Sequence, residues 1–212
     1  NRFKIAVNET RKALDSYRFN DAADRVYKFL WDEFCDWGIE LSKADKSAIS
    51  ELGMIFKESM KLLSPFMPFI SEYLYHELSG SNLENSQSIM ISKYPKSSQI
   101  DNNIIAEFEL IIEAIISIRR AKATIDQGNA KIAKAFIKLN SNLDISSYLS
   151  FIKLLAKCQD VEITKDIISN SARDVSENLE SFVPLAGVDT TAIIARLNSQ
   201  KTKLEKEIAK IE

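Results

Sequence analysis

Cysteine is nearly absent from this chain. The two present, Cys35 and Cys158, lie far apart and outside any C-x-x-C pair. That excludes a disulfide scaffold and a cysteine-rich zinc site, and fits a reducing compartment. There is one histidine, His76, set among Tyr73, Leu74 and Tyr75; a lone histidine in such a run is far more often packed or at the surface than catalytic. The five glycines are scattered at 38, 53, 80, 128 and 187, leaving no glycine-rich phosphate loop. No apolar run approaches the ~20 residues of a membrane span. Neither sign of charge dominates: 28 Lys and Arg against 30 Asp and Glu give −2, so any basic surface has to be local. The chain opens on Asn1 rather than Met, without a charged-then-apolar leader, and Asn1-Arg-Phe-Lys4 reads as the inside of a helix. We expect a cytoplasmic fragment of a longer protein with no signal peptide.

What is abundant is helical patterning. Ala23, Val26, Tyr27, Leu30, Phe34, Trp37 and Leu41 step by threes and fours, with one single step, as one face of an α-helix does. Trp31 and Cys35 lie beside that stripe, so the face is wide and the stretch Trp31-Asp-Glu-Phe-Cys-Asp-Trp37 reads as a central core helix. Asn20 or Asp21 caps its start, and Gly38 inside it marks either a bend or a close approach. A helix precedes it, over residues 1–16. A third, capped by Asp45, carries Ile49, Leu52, Ile55, Phe56, Met60 and Leu63 until Ser64-Pro-Phe-Met-Pro68 stops it. A fourth runs from Phe69 to Leu78 and ends at Ser79-Gly80. Residues 80–100 are irregular, with an extended piece at 88–91. Asp101 opens the longest apolar helix, striped by Ile104, Phe108, Ile111, Ile115 and Ile118 and ending near Gly128. Five such helices with short connectors predict an antiparallel bundle over 1–128.

The pattern then changes. Residues 135–139 and 161–164 read as strands, 181–185 as a possible third, and 146–156 as a helix, which makes 129–186 a small α/β subdomain. The polar stretch 166–178 reads as a loop. Residues 189–212 form one long helix: Thr190, Leu197, Leu204 and Ile211 fall at heptad a, and Ile194, Lys201 and Ile208 at d, a coiled-coil seam with one defect.

No catalytic constellation is present, and Asp32, Glu33 and Asp36 read as capping, pairing or solvent-facing acids. Between 119 and 138, however, Arg119, Arg120, Lys122, Lys131, Lys134 and Lys138 face one acid, Asp126, a local +5 in a chain of −2. Such a strip neutralises phosphates and points to RNA; a solvated surface run is the bland alternative. Arg196 and Lys203 extend the candidate set onto the terminal helix, where mixed charge is a weaker signal.

These residues resemble a family. Tyr17-Arg-Phe-Asn-Asp-Ala-Ala23 leading into Trp31–Trp37, Leu63-Ser-Pro-Phe-Met-Pro-Phe-Ile70, Ser88-Ile-Met90 with Tyr94-Pro95, and Ile118-Arg-Arg120 are similar to the anticodon-binding helical domain of class I aminoacyl-tRNA synthetases of the valine, isoleucine, leucine and methionine group. Val183-Pro-Leu-Ala-Gly-Val-Asp189 with its heptad helix resembles the start of the C-terminal coiled-coil arm of valyl-tRNA synthetases, with isoleucine the nearest rival. The resemblance implies a mainly α fold: an anticodon-binding bundle (1–128), a small α/β subdomain (129–186) and the start of the arm (187–212). It implies that this stretch holds the anticodon stem-loop and outer corner of a valine tRNA. It also implies that the parent is a monomeric ligase using ATP, while this stretch carries neither catalytic residue nor cofactor nor metal. Gly38 departs from the family, which usually has an aromatic residue there. The competing reading is a helical module that docks a partner, or a second copy, through 189–212.

Overall fold

The computed structural model describes residues 1–43, 45–82, 86–188 and 190–208, apart from the side chains at 190, 192, 197, 200, 203, 206 and 207. The chain divides into two units, residues 1–106 and 107–212.

The first unit is helical. α1 (Arg2–Asp15) and α2 (Phe19–Lys28) are followed without a break by a π-helical segment, Phe29–Ile39, and a short α3 (Glu40–Ser42). α4 (Ile49–Leu63) and α5 (Pro68–Ser79) complete the main elements. Two local stop-and-start signals act as the sequence reading expects. The Asp45 carboxylate accepts from the Ser47 backbone N–H at 2.9 Å, just ahead of α4, and Gly80 closes α5 in the left-handed conformation, with φ +61°. The start of α2 differs: it begins at Phe19 after Arg18, without a side-chain cap.

The core of this unit is built where α1, α2 and the π segment meet α4. Val26, Phe29 and Phe34 are all buried. Phe29 and Phe34 are five apart, and ordinary α winding would rotate them about 140° from each other. π winding, with its i→i+5 bonding, brings them back onto one face, where Phe34 stacks on Phe56 at 5.3 Å between centroids. This changes which aromatics form the core. Trp31 and Tyr27 are about 60% exposed and stack on each other at the surface, with centroids 6.2 Å apart. The segment is a core helix through Val26, Phe29 and Phe34, not through its exposed tryptophan. Gly38 would accept a Cβ at 3.6 Å from Leu52, an ordinary contact, so no close approach demands glycine there.

Residues 88–91 are not extended. Ile89–Ile91 is a single 3₁₀ turn with Ile89 buried. It is held to α5 by Glu72, whose carboxylate accepts from the Ser88 hydroxyl at 2.8 Å and the Ile89 N–H at 3.0 Å. His76 is buried between Glu72, at 2.9 Å, and the Ser81 hydroxyl, at 2.7 Å.

α6 (Asn102–Thr124) starts in the first unit and belongs mostly to the second. Asp101 caps it, accepting from the Asn103 N–H at 3.0 Å. The second unit adds β1 (Ile132–Leu139), α7 (Leu149–Leu155), β2 (Cys158–Ile163), β3 (Ser171–Val175), β4 (Leu179–Pro184) and α8 (Thr190–Ile208). The sheet order is β2-β1-β4-β3, with β1 and β2 parallel and the other two pairings antiparallel. β4 is central and reads as a nearly continuous buried run. β3 occupies part of the stretch read as a loop; it is a polar edge strand, and Arg173 and Asp174 keep it from resembling a strand by composition. Ile111, Ala114, Ile115 and Ile118 of α6 are buried, as are Ala135 and Ile137 of β1 and Leu179, Phe182 and Val183 of β4. The Ser117 hydroxyl, 2.7 Å from both Asp174 Oδ2 and Ser181 Oγ, fixes α6 to β3 and β4. The fold is therefore mainly helical with one small mixed sheet. Among the described residues no helix is long and apolar enough to cross a membrane.

Candidate nucleic-acid interface

The basic strip gathers where α6 ends and β1 and β2 begin. A helix C-terminus leaves its last carbonyls without intrahelical partners and carries partial negative charge. In this unit, arginine and lysine side chains satisfy such carbonyls at two helix ends.

α7 is one of them. The Arg119 guanidinium donates to the Leu155 carbonyl twice, from Nε at 3.2 Å and from Nη2 at 2.8 Å. Lys122 lies one turn further along α6 and is completely buried. Its Nζ donates to the Ala156 carbonyl at 2.8 Å and to the Ala130 carbonyl at 2.6 Å. It thus ties together the end of α6, the entry to β1 and the end of α7. Burial lowers the Lys122 pKa; Cys158 opposes it, and repulsion from Lys157 and Arg119 adds to the lowering. Cys158, buried beside it, has its thiol pushed up to about 11 by burial.

α6 itself is the second end. Arg196 on α8 donates from Nη2 to the Thr124 carbonyl at 3.0 Å and pairs through Nη1 with Asp126. Two further cations are balanced across the sheet. Lys134 pairs with Glu162 and lies over the Phe136 ring at 5.0 Å. Lys138 is 3.8 Å from Glu180, which also takes Arg173 at 2.6 Å.

Of the eight candidates, then, Arg119, Lys122 and Arg196 hold backbone carbonyls, and Lys122 has no surface to offer RNA. Lys134 and Lys138 are neutralised by glutamates. Arg120 and Lys131 are exposed and have no side-chain partner among the described residues. The side chain of Lys203 lies outside the described residues. The structure adds Lys157, which the sequence reading passed over. It ends α7 in the left-handed conformation, with φ +55°, and its carbonyl accepts from the Ile132 N–H at 3.1 Å. Lys131, next to Ile132, and Lys157 therefore stand side by side at the starts of the parallel strands, both exposed and unpaired among the described residues. Only a lysine flanking the buried Cys158 hinted at this position, and composition gives that no weight. Among the described residues no cluster of His, Cys, Asp and Glu is placed to hold a metal.

Comparison with known proteins bears on what such a surface meets. A family profile described as the anticodon-binding domain of tRNA ligase matches residues 1–137. The chain is 57% identical over 213 aligned positions to a valine--tRNA ligase of Campylobacter jejuni, covering 99% of this chain and 24% of that protein. A valine--tRNA ligase of a Nitratiruptor species is 55% identical at the same coverage of both chains. One of Geobacter sulfurreducens is 32% identical over 100% of this chain and 25% of its own length. The chain thus spans about a quarter of the length of these relatives.

Proposed function

The chain belongs to the family of anticodon-binding domains of tRNA ligases, and from that premise we propose that it is the tRNA-holding C-terminal part of a valine--tRNA ligase. In the complete enzyme the reaction joins valine to its tRNA at the expense of ATP, in the cytoplasm, on residues outside this chain. The partner of this part is the valine tRNA, whose anticodon stem-loop and outer corner it grips. Residues 1–128 act as the anticodon-binding bundle, 129–186 as a connecting α/β subdomain and 187–212 as the start of a coiled-coil arm. Identity of up to 57% to valine--tRNA ligases, over 99% of the chain, is the observation that carries the choice of valine over isoleucine.

Phosphate contact falls to the cations that are not already used. Arg120, Lys131 and Lys157 are exposed and have no side-chain partner among the described residues, whereas Arg119, Lys122 and Arg196 spend hydrogen bonds on carbonyls.

A competing reading rests on α8, where Ile194, Leu204 and Ile208 are each more than half exposed. It makes the helix a docking or self-association element. Retention of valine and isoleucine tRNA transcripts by the chain, measured over a range of salt, separates the readings. Preferential retention of the valine transcript, weakening steeply as salt rises, is expected. Equal binding of both transcripts contradicts the valine assignment. A concentration-dependent dimer that retains neither supports the docking module.

A further inference from the structure

Residues 93–100 of the first unit form neither helix nor strand, yet they are held in place as a strap along α1. Lys4 of α1 donates from Nζ to the Gln99 carbonyl at 2.8 Å, and Arg11, further along the same helix, donates from Nη1 to the Pro95 carbonyl at 3.2 Å. The Arg11 guanidinium also lies over the Tyr94 ring, 5.8 Å from its centroid. Tyr94 packs against the core cluster of Val7, Val26 and Leu62, and its hydroxyl donates to the Leu62 carbonyl at 3.4 Å. Pro95 is buried. Tyr94-Pro95 is thus the anchor of a strap that two cations of α1 fasten through backbone carbonyls.

Lys93 and Lys96 flank that anchor. Both are exposed, and neither has a side-chain partner among the described residues. Residues 92–100 contain no acid, so the strap itself offers them no counter-charge. Residues three apart are separated by at most about 10 Å of chain, and the anchor between these two fixes the backbone of both. Two unpaired ammonium groups on a fixed backbone suit the phosphates of a nucleic-acid strand, because little has to be ordered when they bind. The family profile for anticodon binding matches residues 1–137, which includes the strap and leaves Lys157 outside. We propose that Lys93 and Lys96 form a second phosphate seat, on the bundle itself, which grips the backbone of the tRNA anticodon stem-loop. Lys4 and Arg11 act as positioning residues that hold the strap. Phosphate contacts carry no sequence information, so the seat serves valine and isoleucine tRNA alike. The proposal rests on the tRNA-holding reading above.

The experiment measures binding of the 212-residue chain over a range of salt to three RNAs: valine and isoleucine tRNA transcripts and the isolated hairpin of the valine anticodon stem-loop. K93Q/K96Q is expected to bind all three several-fold more weakly than wild type, with a slope of log affinity against log salt shallower by about 1–2. Its Tm is expected to stay at the wild-type value, and K93R/K96R is expected to keep wild-type affinity and slope. Wild-type affinity and slope for the hairpin in K93Q/K96Q overturns the proposal, whatever happens to the full tRNA. A loss of binding that K93R/K96R shares also overturns it, since the charge is then not what binds. The failure of the ligase reading looks different. Equal binding of the two transcripts by wild type removes the valine assignment and leaves the seat standing, provided K93Q/K96Q weakens both; binding of no RNA by wild type removes both.

Discussion

Lys122 Nζ donates to the carbonyl of Ala156, 2.8 Å away and 34 residues further along the chain. With its second bond, to Ala130, it makes one buried cation the fastener for three segments that the sequence separates. Hydrogen bonds made by charged groups contribute about 1.5–3 kcal/mol each, and a buried carbonyl left unpaired costs about 1–3 kcal/mol. Relief of the buried charge offsets part of that loss. Lys122→Met is therefore expected to lower stability by about 2 kcal/mol in urea unfolding, with tRNA retention by the folded fraction unchanged. Wild-type stability with weakened retention would mean that Lys122 contacts RNA after all.

Phe34 and Trp31 are three residues apart and should respond oppositely. Phe34 is buried against Phe29 and Phe56, so Phe34→Ala is expected to destabilise the chain by about 3–5 kcal/mol. Trp31 is 59% exposed, and Trp31→Ala is expected to stay within about 1 kcal/mol of wild type. Denaturant midpoints measure both. Equal losses would place both rings in one α-helical core and remove the reason for the π segment.

That contrast shows what was legible in the residues and what was not. Asp45, Gly80 and Asp101 act through bonds or dihedral angles within two or three residues, so their types announced the helix ends. The apolar stripe of α6 obeyed the ordinary helical period and was equally plain. Trp31 was misplaced because its segment departs from that period, and nothing in residue identity records the departure. β3 escaped notice because an edge strand of Ser, Ala, Arg, Asp and Val is paired by backbone groups, not by composition. The basic strip was visible as charge, but its division into carbonyl-holding and free members was not. The partners of Arg119 and Lys122 are backbone carbonyls, and every residue has one.

Glu72 gives the first unit a specific acid response. Burial raises its pKa, but hydrogen bonds from Ser88, Ile89 and His76 outweigh that, and the net effect is a pKa below the ordinary 4.5. A carboxyl that binds its proton less tightly when folded contributes stability above pH 4.5, and that contribution is lost as pH falls through the folded-state value. Thermal unfolding of Glu72→Gln is expected to show a shallower decline than wild type below pH 4.5. Parallel declines would mean that the carboxylate does not fasten the Ile89–Ile91 turn.

The most direct test of how this chain meets RNA is a salt titration of valine tRNA binding by wild type, R120E/K131E/K157E and Arg119→Gln. Each phosphate contact contributes about 0.7–0.9 to the slope of log affinity against log salt. The triple variant is expected to bind much more weakly, with a slope shallower by about 2–3. Arg119→Gln is expected to lose stability but to keep the wild-type slope. A triple variant that binds valine tRNA as tightly as wild type at matched salt, with an unchanged slope, would contradict the assignment of Arg120, Lys131 and Lys157 as the phosphate-facing cations.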